Sequence, residues 1–206
     1  MTEQVAPQII AQAARRKKGL LNMAIEVEKK YRLTRAQYEA LRVRLLEVGA
    51  EQRGEVFEEN TIYGGGILSL KNCVLRLRRA GAVATLAYKE RFPSDQTIKR
   101  QLEEETRVED PEAAAAILDA LGYRPALVYE KRRATWQLPG AEVAVDELPF
   151  GLFLEIEGDE DAIISAEQLL GLTDAQAETA TYPYLTRKHG KKRGQCVEAR
   201  FEDRSD

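Results

Sequence analysis

Ile25-Glu26-Val27-Glu28-Lys29-Lys30-Tyr31 is the stretch from which the fold is read. At a period of two it puts Glu26, Glu28 and Lys30 on one face and Ile25, Val27 and Tyr31 on the other. One alternating strand is ordinary in a soluble sheet. Here the alternation recurs in at least five further stretches, and the charges sort by sign.

Working outward, strands are expected over residues 24–33, 57–63, 74–79, 83–91, 97–109, 127–137, 141–147 and 152–158. Arg76 and Arg78 share one phase of the third, and Lys89 and Arg91 one phase of the fourth. In the fifth, Leu102, Thr106 and Val108 mark the side of Glu104 as packed. Gln101, Glu103, Glu105 and Arg107 therefore face the other way. Lys131 and Arg133 share a phase, Ala144 and Asp146 oppose Val143 and Val145, and Glu155 and Glu157 oppose Leu154 and Ile156.

Helices interrupt the strands. Thr34 with Gln37 forms a capping box ahead of Tyr38, Leu41, Leu45 and Val48, with Gly49 as the stop. Asp110 caps a second helix with Pro111 in its first turn, and Gly122 ends it. A third is expected over 159–171 on a stripe of Ile163, Ile164, Leu169 and Leu170, and a short one over 174–180 capped by Thr173. The tyrosines of Thr181-Tyr182-Pro183-Tyr184 are expected to pack back onto the body. The fold class is α+β: eight short strands with hairpin-length links form an antiparallel sheet, and eight is the number that closes a small barrel. The domain is read as 23–186, between a basic lead-in at 1–22 and a polar, disordered tail at 187–206.

Composition narrows the function. The 206-residue chain is 44% hydrophobic and 32% charged, enough for a core, and its net charge of -3 gives no global positive field to recruit nucleic acid. No apolar run approaches the roughly 20 residues of a membrane span, and residues 1–22 lack a signal-peptide core. Cys73 and Cys196 match no metal spacing, which fits a reducing cytoplasm. Gly64-Gly65-Gly66 lacks the Gly-Lys-Ser/Thr of a phosphate loop and reads as a turn. The only histidine, His189, sits in the tail and reads as inert.

The decisive pattern is the charged phase. A solvated face favours mixed signs, because like charges on neighbouring same-face positions repel. Instead Glu-x-Glu occurs three times in this phase, with Arg-x-Arg at 76 and 78 and Lys-x-Arg at 131 and 133. If the sheet closes with this face inward, acids and bases share a confined space in which neither can stay unpaired. Clustered carboxylates without histidine or cysteine call for a hard divalent cation, Mg²⁺ or Mn²⁺. Facing arginines and lysines call for a multiply charged oxyanion, above all phosphate. The reaction class is then phosphoryl or nucleotidyl transfer.

These same residues resemble a known family. Glu26-x-Glu28-x-Lys30 looks like the opening signature of the CYTH superfamily, the triphosphate tunnel metalloenzymes. The likeness continues through Arg76-x-Arg78, Tyr88-Lys89, Glu103-x-Glu105, Lys131-x-Arg133, Asp146 and Glu155-x-Glu157, spanning about residues 23–185. It implies an eight-stranded antiparallel tunnel. It also implies metal binding by Glu26, Glu28, Glu155 and Glu157, assisted by Glu103, Glu105 and Asp146. The triphosphate would lie on Lys30, Arg76, Arg78, Lys89, Lys131 and Arg133, with Glu28, Lys30 and Lys89 closest to catalysis. The substrate would be tripolyphosphate, ATP or another organic triphosphate, hydrolysed with Mg²⁺ or Mn²⁺. The alternatives are a class IV adenylyl cyclase and a polyphosphate-binding module without turnover. A homodimer is compatible with the resemblance. Ala87 departs from the threonine often found two residues before the position of Lys89, and the body of the domain has no histidine.

Overall fold

The computed structural model describes residues 24–70, 73–92, 97–172 and 175–201. The basic lead-in lies outside them. Strand β1 (Ala24–Leu33) runs into helix α1 (Arg35–Glu47), then β2 (Glu51–Gly64) and a 3-10 helix (Gly66–Leu70). Next come β3 (Cys73–Ala80), β4 (Val83–Arg91), β5 (Ile98–Val108), α2 (Pro111–Ala120), β6 (Arg124–Leu138), β7 (Ala141–Leu148) and β8 (Gly151–Gly158). The chain ends in α3 (Glu160–Leu170), α4 (Tyr182–His189), β9 (Lys191–Arg193) and β10 (Cys196–Ala199).

The first eight strands run in the order β2-β3-β4-β5-β1-β8-β7-β6, and β2 pairs with β6 to close the ring. Every pairing within the ring is antiparallel. The closure runs nearly the whole length of β2 and β6, with register shifts at Gln52/Gly54 and Ile62/Tyr63. Such irregularities let long strands bend around a barrel. The expected eight-stranded antiparallel tunnel is therefore present, with two short strands added outside it.

Closure puts the charged phase inside, so the apolar phase points outward and needs cover. Helices α1 and α3 supply it over Tyr31, Trp136, Val143, Val145, Leu154 and Ile156, which form the main core with Leu41, Leu45, Ile163 and Leu170. Helix α2 covers the outward Tyr63 and Leu77 with Leu118, whereas α4 packs Tyr182 and Leu185 on Ile62, Leu127, Tyr129 and Phe153, which share the inward phase of the cavity residues. The Thr34–Gln37 capping box and the Asp110 cap with Pro111 are formed as read. Helix α3 ends at Gly171, whose φ of 71° is left-handed.

Three expectations are corrected. In α3 the buried stripe is Ile163, Ala166, Glu167 and Leu170, while Ile164 and Leu169 are exposed. Glu167 is buried because it accepts from Lys29 Nζ and the Tyr31 hydroxyl, a polar contact that hydrophobic spacing does not reveal. The short helix begins at Tyr182 instead of 174, because the Thr181 side chain accepts from the Tyr184 N–H and Pro183 fits a first turn; Thr173 and Asp174 lie outside the described residues. Of its tyrosines, Tyr182 is buried and Tyr184 is exposed.

The third correction concerns the polar tail, which folds through residue 201. β10 pairs in parallel with β6 at Leu127–Tyr129 and antiparallel with β9. Arg200 holds it there, donating to Glu59 at 2.7 Å, Glu130 at 2.8 Å and Glu198 at 2.6 Å. Ion pairing in place of apolar pattern is why the segment reads as tail. No helix among the described residues is long and apolar enough to cross a membrane.

Arg200→Ala leaves three carboxylates without their common partner and is expected to cost about 1–2 kcal/mol. Thermal melting and hydrogen exchange check it: exchange should accelerate in β10 and not in β1, and an unchanged β10 would contradict this account of the tail.

Candidate active site in the tunnel

All eight barrel strands send side chains into one cavity of about 400 Å³. β1 contributes Glu26, Glu28 and Lys30, β2 Ile62, β3 Val74, Arg76 and Arg78, β4 Lys89 and Arg91, and β5 Gln101, Glu103 and Glu105. β6 contributes Tyr129, Lys131 and Arg133, β7 Glu142 and Ala144, and β8 Glu155 and Glu157. Thr181, Tyr182 and Pro183, at the start of α4, line it as well. Of the residues expected at the site, only Asp146 is not on the cavity wall. It lies wholly buried behind Arg133.

Ion pairs organise the basic side. Arg133 donates to Asp146 through two nitrogens, at 2.8 and 2.7 Å, and also to Glu155. Lys131 Nζ sits 3.4 Å from both Glu58 and Asp146. Burial alone would raise the Asp146 carboxyl, but Arg133 and Lys131 outweigh it and hold it well below the usual carboxylate range. Glu58 is likewise lowered against the effect of burial by Lys131, Arg133 and Arg78. Arg76 and Arg78 reach Glu105 at 3.3 and 3.0 Å. Asp146, Glu58 and Glu105 thus orient bases whose other donors face the cavity.

The acid side is crowded. Glu28 pairs in register with Lys99 on one neighbour and with Glu157 on the other. Burial, then Glu155, then Glu26 raise the Glu28 carboxyl above its ordinary value, against Lys99 and Lys30. Desolvation at the tunnel mouth, reinforced by Glu26 and Glu142, pushes the otherwise exposed Glu157 up to about 7. Burial, only partly offset by Glu155, brings Lys30 down to about 8. Lys89 sits between the two sides, 2.7 Å from Glu26 and 2.8 Å from Glu103. Gln101 donates to Glu26 at 2.6 Å.

Among the described residues no three acid, cysteine or histidine side chains converge closely enough to enclose an ion. Instead Lys89, Lys99 and Arg133 sit against Glu26, Glu28 and Glu155. Yet the donor set fits a hard cation. It is all carboxylate, and burial together with neighbouring carboxylates raises both Glu28 and Glu157, a cost that positive charge would relieve.

Some residues on the cavity wall or next to it were missed by the sequence reading. Lys99 and Glu142 follow from extending the charged phase of their strands by two residues, and Glu58 shares the phase of Asn60 and Ile62. Lys99 Nζ is buried without a hydrogen-bond partner among the described residues, 3.8 Å from Glu28. Tyr182 carries no such signal, because it arrives from a helix after the barrel is complete.

A family model described as the CYTH domain matches residues 24–179. No curated protein matches the chain. Among solved structures, the PH1012 protein from Pyrococcus horikoshii OT3 is 24% identical, with 76% of this chain and 96% of that one aligned and a TM-score of 0.67. A Vibrio parahaemolyticus protein assigned as an adenylate cyclase is 21% identical over 79% of this chain and 97% of its own, with a TM-score of 0.65. HpAC1 from Hippeastrum, assigned as an adenylyl cyclase and described as having a dominant triphosphatase activity, is 18% identical over 82% and 98%, with a TM-score of 0.62. These likenesses are of fold.

Two variants separate the sides of the tunnel. Asp146→Asn should cost about 3–5 kcal/mol near neutral pH, because it removes the buried carboxylate shared by Arg133 and Lys131. Since the Asp146 carboxyl is depressed in the folded protein, its contribution is full above the unfolded value and is lost as pH falls below it; the gap between wild type and variant should close only in acid. Glu157 has the opposite sign: its raised carboxyl loses stability as pH rises through about 7. Without divalent metal, Glu157→Gln should therefore melt higher than wild type at pH 8 and alike at pH 4.5. Melting curves across pH check both, and a lower melting temperature for Glu157→Gln at pH 8 would contradict the crowding.

Proposed function

The chain belongs to the CYTH domain family, and from that premise we propose that it is a divalent-metal-dependent hydrolase of an inorganic or organic triphosphate bound in the tunnel. The observation that carries this reading is the sorting of charge inside a closed barrel. Carboxylates of β1, β7 and β8 crowd together, while arginines and lysines of β3 and β6 face the same cavity. A polyanion alone would meet the acids, and a metal alone would meet the bases. A metal-bound polyphosphate satisfies both.

Glu26, Glu28, Glu155 and Glu157 would hold Mg²⁺ or Mn²⁺. When bound, the ion neutralises phosphate oxygens and makes its water more acidic. Arg76, Arg78, Lys131 and Arg133 bind the phosphate chain, their forks kept in place by Glu105, Glu58 and Asp146. Lys30 and Lys89 bring positive charge to the junction of the acid and basic sides, where it meets charge developing as the phosphoanhydride bond opens. A water oxygen bonds to phosphorus and gives up its proton to solvent, the bridging P–O bond breaks, and its electron pair stays on the departing phosphate oxygen. Holding both reactants in one confined geometry supplies most of what the protein must add.

The described activity of HpAC1 supports hydrolysis ahead of cyclisation. The assignment of the Vibrio protein keeps conversion of ATP to cyclic AMP and pyrophosphate as the second reading. Tripolyphosphate, ATP, GTP and thiamine triphosphate, each with Mg²⁺ and Mn²⁺, should be resolved for phosphate, pyrophosphate and cyclic products. The expected result is divalent-dependent phosphate release, lowered roughly a hundredfold or more by Glu28→Gln. Cyclic AMP from ATP would favour the cyclase. Tight tripolyphosphate binding without any product would leave a binding module.

A further inference from the structure

Tyr182 lies beyond the residues matched by the family model and comes from α4, not from a barrel strand. Its ring closes part of one end of the tunnel and is 6% exposed. Two ammonium groups stand against that ring: Lys30 Nζ at 4.2 Å from its centroid and Lys131 Nζ at 5.4 Å. The hydroxyl donates to Asp146 Oδ2 at 2.8 Å, the same carboxylate that accepts both nitrogens of Arg133. One side chain therefore bears on three of the bases that face the cavity.

The kind of contact matters. A carboxylate beside a lysine cancels its charge and takes up its N–H donors. An aromatic face attracts the ammonium through its quadrupole and offers no lone pair. Lys30 is 1% exposed, and its Glu155 neighbour is 4.0 Å away, outside hydrogen-bond range. The ring faces that ammonium at a similar distance and leaves its donors available to an incoming oxyanion. Tyr182 is itself well fixed: its ring meets Phe153 edge-on at 5.3 Å and Tyr129 at 6.1 Å, and Leu185 and Thr186 bury the next turn of α4.

We propose that Tyr182 is a positioning residue for the polyanion: its ring supports the Lys30 ammonium, with Lys131 beside it, without taking up their N–H donors, and its hydroxyl anchors the ring on Asp146. The binding site is complete only when α4 is docked, so the functional unit extends past the end of the family match. This rests on the reading that the tunnel takes a triphosphate. A purely structural Tyr182 would be served equally well by any apolar side chain of similar bulk.

The test uses the full chain without metal, titrated with tripolyphosphate by calorimetry, as wild type, Tyr182→Phe and Tyr182→Leu, with melting curves and NMR of the lysine ε-methylene protons. Tyr182→Phe loses the hydroxyl and some stability but keeps the ring, and should bind within about threefold of wild type. Tyr182→Leu should weaken binding roughly tenfold or more. The Lys30 ε-protons should be shifted upfield by the ring in wild type and Tyr182→Phe, and should move when tripolyphosphate is added. Equal affinity for Tyr182→Leu and wild type overturns the proposal. If that variant does not fold, unshifted Lys30 ε-protons in the wild type overturn it alone. A wild type that keeps the ring shift but binds no tripolyphosphate overturns the proposed function instead, and with it the ligand for which Tyr182 would position the lysines.

Discussion

A charge inside a closed sheet cannot be left alone. Water is largely excluded, and an unpaired ion there costs several kcal/mol. The rest of this structure follows from that constraint. Most inward acids find a base across the register or across the cavity, as Glu103 does with Lys89 and Glu58 with Lys131, while Glu157 stays crowded among Glu26, Glu28 and Glu142. With the middle of the barrel given over to ions, the main hydrophobic core has to lie outside it, while a smaller apolar cluster with Ile62, Tyr129 and Tyr182 lines part of the cavity. Helices α1 and α3 are therefore the other wall of the core, packed on Tyr31, Val143, Leu154 and Ile156. The arrangement is the inverse of an ordinary small barrel, whose interior is filled with apolar side chains.

The ion pairs differ in what they can give up. Asp146 is wholly buried and its bonds to Arg133 and Tyr182 lie behind the cavity wall, so no ligand can reach it without unpacking α4. Glu26, Glu28 and Glu155 are part-exposed, and their partners Lys89, Lys99 and Arg133 can each turn to a phosphate instead. On the proposed function, exchange of partners, acids to a cation and bases to a polyanion, would keep these charges compensated. A ligand that completes both halves binds the folded chain only and stabilises it accordingly.

Much of this was legible in the residues. The phase of Glu26, Glu28 and Lys30 needs only the period of a strand, and the sign sorting across strands needs only that phase extended. Capping chemistry at Thr34 and Asp110 is local, so it survives into the structure unchanged. What could not be read was tertiary. Glu167 is drawn inward by Tyr31 and Lys29 from another element, which hydrophobic spacing within α3 cannot register. The segment after residue 187 is polar along its length and reads as tail, yet Arg200 bonds to Glu59 and Glu130, far away in sequence. Tyr182 looks like any aromatic near a proline until α4 places it against Lys30.

The account stands or falls on what fills the barrel. Crystals grown with Mn²⁺ and a non-hydrolysable imido analogue of tripolyphosphate, measured above the manganese absorption edge, address this directly. The account predicts anomalous density inside the barrel between the analogue and carboxylates drawn from Glu26, Glu28, Glu155 and Glu157, with phosphate oxygens on Arg76, Arg78, Lys131 and Arg133. Manganese and analogue bound only on the outer surface, with the internal ion pairs intact, would contradict it.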